Sequence, residues 1–280
     1  MARWVGWLFA LPALLVYAVF VLRPLASTVQ FSLYRWDGTG PATWVGLGNY
    51  VAVLTDPDLL GALGHALVLV AFFTGVPIPL GLLAAAVLRR AAAGGPVRAL
   101  LLVPQAVPLV AAGFAWSLLL SSTGVVNRLL DAVGLGGSAR AWFGDSATAL
   151  GAVGVVGAWV LLGLCTTLLL AGAERVDPAL YEAARLDGAG AWRELRAVTV
   201  PGVRRELGVC AVVTSTAALA SFDVVYATTR GGPGNATTVP GLEVFTLAFA
   251  RREVGLASAL AVVLVALVLV VVAPVLRWSR

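Results

Sequence analysis

The chain has no lysine, one histidine and two cysteines in 280 residues, and only 12% of it is charged. Each shortage removes a class of function. A phosphate-binding loop of the G-x-x-x-x-G-K-[ST] type needs a lysine to reach the phosphates, so ATP is not hydrolysed here by that route. Cys165 and Cys210 lie in separate apolar runs, so neither a disulfide framework nor a zinc site has the residues it needs, and both read as small packing residues. A membrane enzyme would need a nucleophile beside a base, or a metal cluster, and this chain is poorly supplied with either. Water-soluble domains carry roughly 25% charged residues. At 60% hydrophobic and a mean hydropathy of +0.95, this chain reads instead as a polytopic membrane protein. Its net charge of +5 is all arginine, and no nucleic-acid partner is the natural reading of it.

Crossing a hydrocarbon core takes roughly 20 apolar residues in a helix, because backbone amides find no other partner in lipid. Six runs qualify, at about 7–23, 64–88, 99–120, 148–172, 206–227 and 255–276. The expected fold is all-α, a single six-helix transmembrane domain over 1–280. The first run lacks a persuasive small-residue cleavage site and is long enough to span, so it is expected to remain as a helix. Pro77 and Pro79 in the second run, and Pro104 and Pro108 in the third, predict kinks. Gly151, Gly154, Gly157 and Ala158 give the fourth a small-residue face that allows close approach.

Arginine asymmetry sets the orientation, since positively charged flanks resist translocation. With both termini inside, the cytoplasmic side holds twelve arginines: Arg3, Arg89, Arg90, Arg98, Arg175, Arg185, Arg193, Arg196, Arg204, Arg205, Arg277 and Arg280. The outside holds the other seven, among acids such as Asp37, Asp56, Asp131 and Glu243. This count puts residues 174–205, the polar stretch between the fourth and fifth runs, in the cytoplasm.

That stretch has a readable plan. Asp177-Pro178 is a helix start, with a carboxylate to cap free amides and a proline where its missing N–H costs nothing. A short helix to about Leu186 follows. Gly188 can take positive φ and end it, and Asp187 is placed either to bind turn amides or to cap a second helix over about 189–198. Pro201 closes the unit. Ala183 and Ala184 keep one face small, so that another protein can come close, while Glu182 offers a charge to the loop's amides or to a partner's arginine. The rival reading is an amphipathic hairpin lying on lipid headgroups.

Glu182-Ala183-Ala184, then Asp187-Gly188-Ala189, then Val198-Thr199-Val200-Pro201, placed between the fourth and fifth helices, closely resembles the cytoplasmic coupling loop of ABC-importer permeases. Arg185, Leu195 and Glu206 depart from the usual pattern. Trp44 to Tyr50, Gly124 to Leu130 and Thr229 to Thr238 resemble external segments of the branch that includes maltose and glycerol-3-phosphate permeases, so the likeness covers nearly the whole chain. It implies a bacterial cytoplasmic (inner) membrane protein that imports a sugar or sugar derivative. No cofactor is implied in this chain. The expected partners are a second, similar permease, two ATPase subunits carrying ATP and Mg²⁺, an external solute-binding protein and membrane lipid.

A sugar path needs hydrogen-bonding side chains at membrane depth, where they are expensive. The fifth run supplies Thr214, Ser215, Thr216, Ser221 and Asp223, although serine and threonine can equally bond their own helix. Trp116, Trp159, Thr166 and Thr167 are weaker candidates, and His65 reads as a boundary residue. Another small solute remains an alternative cargo. An ion-coupled transporter is a further rival, but it would keep charged partners deep in its helices, and these runs have almost none.

Overall fold

The structure, a computed structural model that describes residues 3–90 and 94–279, is helical apart from one short antiparallel ribbon pairing Tyr34 with Trp44 and Arg35 with Thr43. Four helices are long and apolar enough to cross a membrane: Phe9–Phe31, Pro57–Arg89, Ala149–Arg175 and Val254–Trp278. Two bent pairs qualify if each counts as one span: Gly95–Ala106 with Leu109–Leu119, bent by 97°, and Arg204–Leu219 with Phe222–Thr228, bent by 48°. The spans are numbered in chain order, each bent pair as one.

Prolines explain some of the breaks. In the third span Pro108 takes an extended ψ of 140° ahead of the helix that begins at Leu109, so the run splits there rather than bending gently. Pro77 and Pro79 do less: the ladder carries on through Val76, whose N–H reaches Phe72 O at 3.2 Å and whose carbonyl accepts from Leu80 at 3.3 Å. The first span continues through Arg23 and Pro24, beyond the expected end near residue 23, because a widened turn over Ala18–Leu22 precedes the proline. The fifth breaks at Ala220 and Ser221 without proline or glycine, both residues leaving helical ψ (24° and 22°).

The chain forms two compact units. One holds the described residues up to Leu60 together with Glu243–Ala266. Here Asn49 Nδ2 donates to the carbonyls of Ser32 and Tyr34, both at 2.8 Å, and Tyr50 and Ser32 share a hydroxyl contact of 2.6 Å, so the Asn49-Tyr50 pair pins the chain leaving the first span. Glu243 is buried in this unit with Oε2 unbonded, and burial pushes its carboxyl above the usual range against the pull of Arg251.

The other unit, Gly61–Leu242 with Leu267 onward, is built around the fourth span. Of that span's most apolar stretch 61% is buried, against 28% for the second, so the fourth is the centre of the packing. Leu69, Phe73, Val153, Val156, Ala218, Val224 and Val225 form one core, while Ala85, Leu88, Cys165, Leu169, Val203 and Cys210 form a second. The small-residue face does not receive a neighbouring backbone at Gly154 and Gly157. Aromatic rings from the second span, Phe72 and Phe73, lie where a Cβ on each glycine would be. Outward faces carry bare apolar side chains such as Val87 and Leu118, as lipid contact requires.

Candidate coupling hairpin

The loop after the fourth span folds as helix, turn, helix. Asp177 caps the first helix, Pro178–Leu186, by accepting the Ala179 N–H at 2.9 Å, with Pro178 in its first turn. The helix ends in a paired closure: Ala189 N–H reaches Ala184 O at 2.9 Å and Gly188 N–H reaches Arg185 O at 3.0 Å. This geometry needs a left-handed residue, and Gly188 supplies it at φ +75°.

Two details differ from the sequence-based expectation. Asp187 ends the first helix through its own N–H, bonded to Ala183 O at 3.0 Å, but caps nothing onward. Gly190, extended at ψ 172°, stands at the cap position, so the second helix starts at Ala191. It also runs further than residue 198. A widened turn over Leu195–Thr199 accommodates Pro201 inside a last turn that ends at Val203.

The hairpin has a bare face and a buried one. Glu182 and Ala183 are exposed, Ala184 and Ala189 half-buried, and two large apolar side chains stand almost free, Leu186 at 89% and Trp192 at 70% exposure. Inward, Tyr181, Glu194, Leu195 and Thr199 are buried.

Glu194 is a candidate site residue that the sequence pattern does not single out. Its Oε1 accepts from Arg89 Nη2 at 2.8 Å and its Oε2 from Arg185 Nε at 3.2 Å. Arg89 in turn lies over the Tyr181 ring, 3.5 Å from the centroid. The Glu194 hydrogen bond and charge hold the Arg185 guanidinium above its usual range, and Glu182 adds a smaller contribution. Arg185, which departs from the resembling pattern, thus has a partner within its own hairpin. An open cavity of about 600 Å³ lies beside this group, lined by Arg89, Arg185, Ala189, Ala191 and Glu194. At the hairpin's base Arg175 approaches Glu206 at 3.8 Å, and Arg204 lies over Trp278.

The polar residues of the fifth span do not form one group. Thr214 and Ser215 are buried and bond Thr74 of the second span at 2.9 and 3.3 Å, which makes them an interhelical tie. Thr216 is exposed and bonds its own helix at Val212 O, and Asp223 is exposed. Ser221, at the break, is buried with its hydroxyl unbonded. Tyr226, which the reading passed over, stacks on Phe222 at 5.2 Å, one turn beyond the break. Thr166 and Thr167 bond their own helix, Trp116 and Trp159 meet edge to face, and His65 Nδ1 contacts Thr238 O at 2.9 Å. Among the described residues no cluster of metal-binding side chains occurs.

The family described as binding-protein-dependent transport system inner membrane component matches residues 77–277. The chain belongs to that family. Like other members of this inner membrane component family it is a multi-pass permease, a transporter subunit whose ATP is hydrolysed by partner ATPases. Among relatives, the chain is 34% identical over 270 residues to the trehalose/maltose transport system permease protein MalF of Thermococcus litoralis, covering 94% of this chain and 90% of that one. It is 33% identical to the probable ABC transporter permease protein YurN of Bacillus subtilis (95% and 92% covered), and 32% identical to the diacetylchitobiose uptake system permease protein NgcF of Streptomyces coelicolor (95% and 80%). A solved bacterial ABC transporter involved in import of the acidic polysaccharide alginate has a chain matching this fold at a TM-score of 0.83, with 22% identity, 99% of this chain and 95% of that one covered. The all-helical architecture is therefore that of an ABC-importer permease.

Proposed function

We propose that this permease imports a sugar or sugar derivative, handed to it by an external solute-binding protein, and that residues 174–205 are the cytoplasmic handle gripped by an ATPase subunit. The observation that carries the second part is the bare face of the hairpin. Leu186 and Trp192 stand bare in a polar loop, on a helix pair whose turn is set by Gly188 and whose inner side is paired through Glu194. Glu182, Ala183, Ala184, Asp187, Gly188 and Ala189 shape the grip, and Pro201 shapes the return to the membrane. Both termini then lie in the cytoplasm, as the arginine distribution favours.

The sugar reading is supported by relatives whose names specify trehalose/maltose, diacetylchitobiose and lactose. It is also supported by the exposed Thr216, Asp223 and Tyr226 of the fifth span, a hydroxyl, a carboxylate and an aromatic ring on either side of its break. Ser221 belongs to the bend of that path, and Thr214 and Ser215 to its wall. A second, similar permease, two ATPase subunits and the binding protein complete the assembly.

The test is copurification and uptake. Tagged permease, expressed with its neighbouring transport genes, is expected to retain an ATPase, and liposomes holding that complex and the binding protein are expected to take up a labelled disaccharide only with ATP inside. Uptake by the isolated chain under an ion gradient would overturn this reading.

A further inference from the structure

The hairpin is joined covalently to the fourth and fifth spans, and the structure gives it a third attachment that the chain order conceals. Arg89 ends the second span, and its guanidinium is held between the Tyr181 ring at 3.5 Å and the Glu194 carboxylate at 2.8 Å. Tyr181 and Glu194 are 2% and 3% exposed, so this contact is made out of water. Separating the residues would take the largely buried Arg89 guanidinium from its carboxylate, whereas the Arg185 bond to the same carboxylate, at half-exposed Arg185, can be replaced by solvent.

The second span is also suited to pivot. Its outer half is tied to the fifth span where Thr74 meets Thr214 and Ser215. Just beyond, the helical bonds through Val76 are long, at 3.2 and 3.3 Å, and Pro77 and Pro79 donate none. A helix held at one side of a weak turn and grasped at its far end is a lever.

We infer that the Arg89–Glu194 clasp makes the inner half of the second span, Pro77–Arg90, move with the hairpin and tilt about Val76, so that this span is driven directly and not only through the fourth and fifth. Glu194 and Arg89 are thus positioning residues for transport. This rests on the hairpin being the element that the ATPase moves.

Spin labels at Val87 and Ala197, both exposed, read the distance between the two parts in the purified complex, without nucleotide and with Mg²⁺, ATP and vanadate. In the wild type one distance is expected, the same in both states. With Glu194→Gln that distance is expected unchanged without nucleotide and split into two with it, and Arg89→Gln should behave likewise. A wild-type distance that shifts with nucleotide, a Gln variant that keeps one distance throughout, or equal broadening in both states would overturn the inference, the last by showing a merely structural role. An ATPase missing from the wild-type complex would overturn the docking reading itself, while an ATPase present with an unsplit distance would overturn the clasp alone.

Discussion

Arg89 lies over the buried ring of Tyr181, 3.5 Å from its centroid, although the whole of the third and fourth spans separates them in sequence. A guanidinium sheltered this way gains more from the ring than one in water, and Glu194 completes its surroundings. Because the group is interlocked, its members should be unequal in value. Glu194→Ala is expected to destabilise the folded permease by about 3–5 kcal/mol, since it strands the Arg89 charge, and Arg185→Ala far less, since water can take the place of that half-exposed partner. Thermal unfolding in detergent would rank them, and equal losses would contradict this account.

Gly188 offers a test of conformation free of sterics. Nothing within this chain lies within 4 Å of a Cβ placed there, so a substitution acts on the hairpin's own fold through its φ of +75°. Gly188→Asn, which tolerates that region, is expected to keep uptake. Gly188→Val should strain the turn by about 1–3 kcal/mol and abolish uptake with membrane insertion intact. Insertion is read by fractionation and coupling by ATP-driven uptake.

Thr74 and Thr214 share a hydroxyl bond between two spans. In lipid such ties are worth on average about 0.6 kcal/mol and at most about 1.7. A double-mutant cycle with Thr74→Val and Thr214→Val, read by unfolding in bicelles, should give a coupling in that range. The variants should still retain the ATPase on purification.

Glu243 predicts a pH effect of definite sign. Burial raises its carboxyl above the ordinary 4.5, against which Arg251 pulls and to which Asp58 and Asp56 add. The folded state therefore holds the proton more tightly than the unfolded one. The stability that Glu243 contributes should be fully present below 4.5 and should be lost as pH rises from there through the raised value, where the carboxylate must ionise without a partner for Oε2. Glu243→Gln is expected to flatten that slope in unfolding curves measured across the range.

Much of the fold is legible in local residues. Apolar runs announce the spans, Asp177-Pro178 announces the first hairpin helix, and Gly188 announces its end, because each signal acts on its immediate neighbours. What escapes is set by distance or by compensation. Glu194 looks like one more solvated acid in a polar loop; its burial depends on an arginine 105 positions earlier. Asp187 is a good cap in isolation, yet the two residues after Gly188 put Gly190 at the cap position instead. The fifth span breaks at Ala220 and Ser221, neither of which is a helix breaker. Pro77 and Pro79 do not break the second span, although the bonds that carry it through Val76 are long. Of the candidate path, Thr216 and Asp223 are open, while Thr214 and Ser215 are occupied by Thr74, a contact that no local pattern encodes.

Cys165 and Cys210 are both wholly enclosed in the core formed with Ala85 and Leu169. Water-borne thiol reagents therefore meet a silent background in the native chain. A single introduced cysteine, at the hairpin tip or on either outer segment, can report its side of the bilayer with both natural thiols left in place.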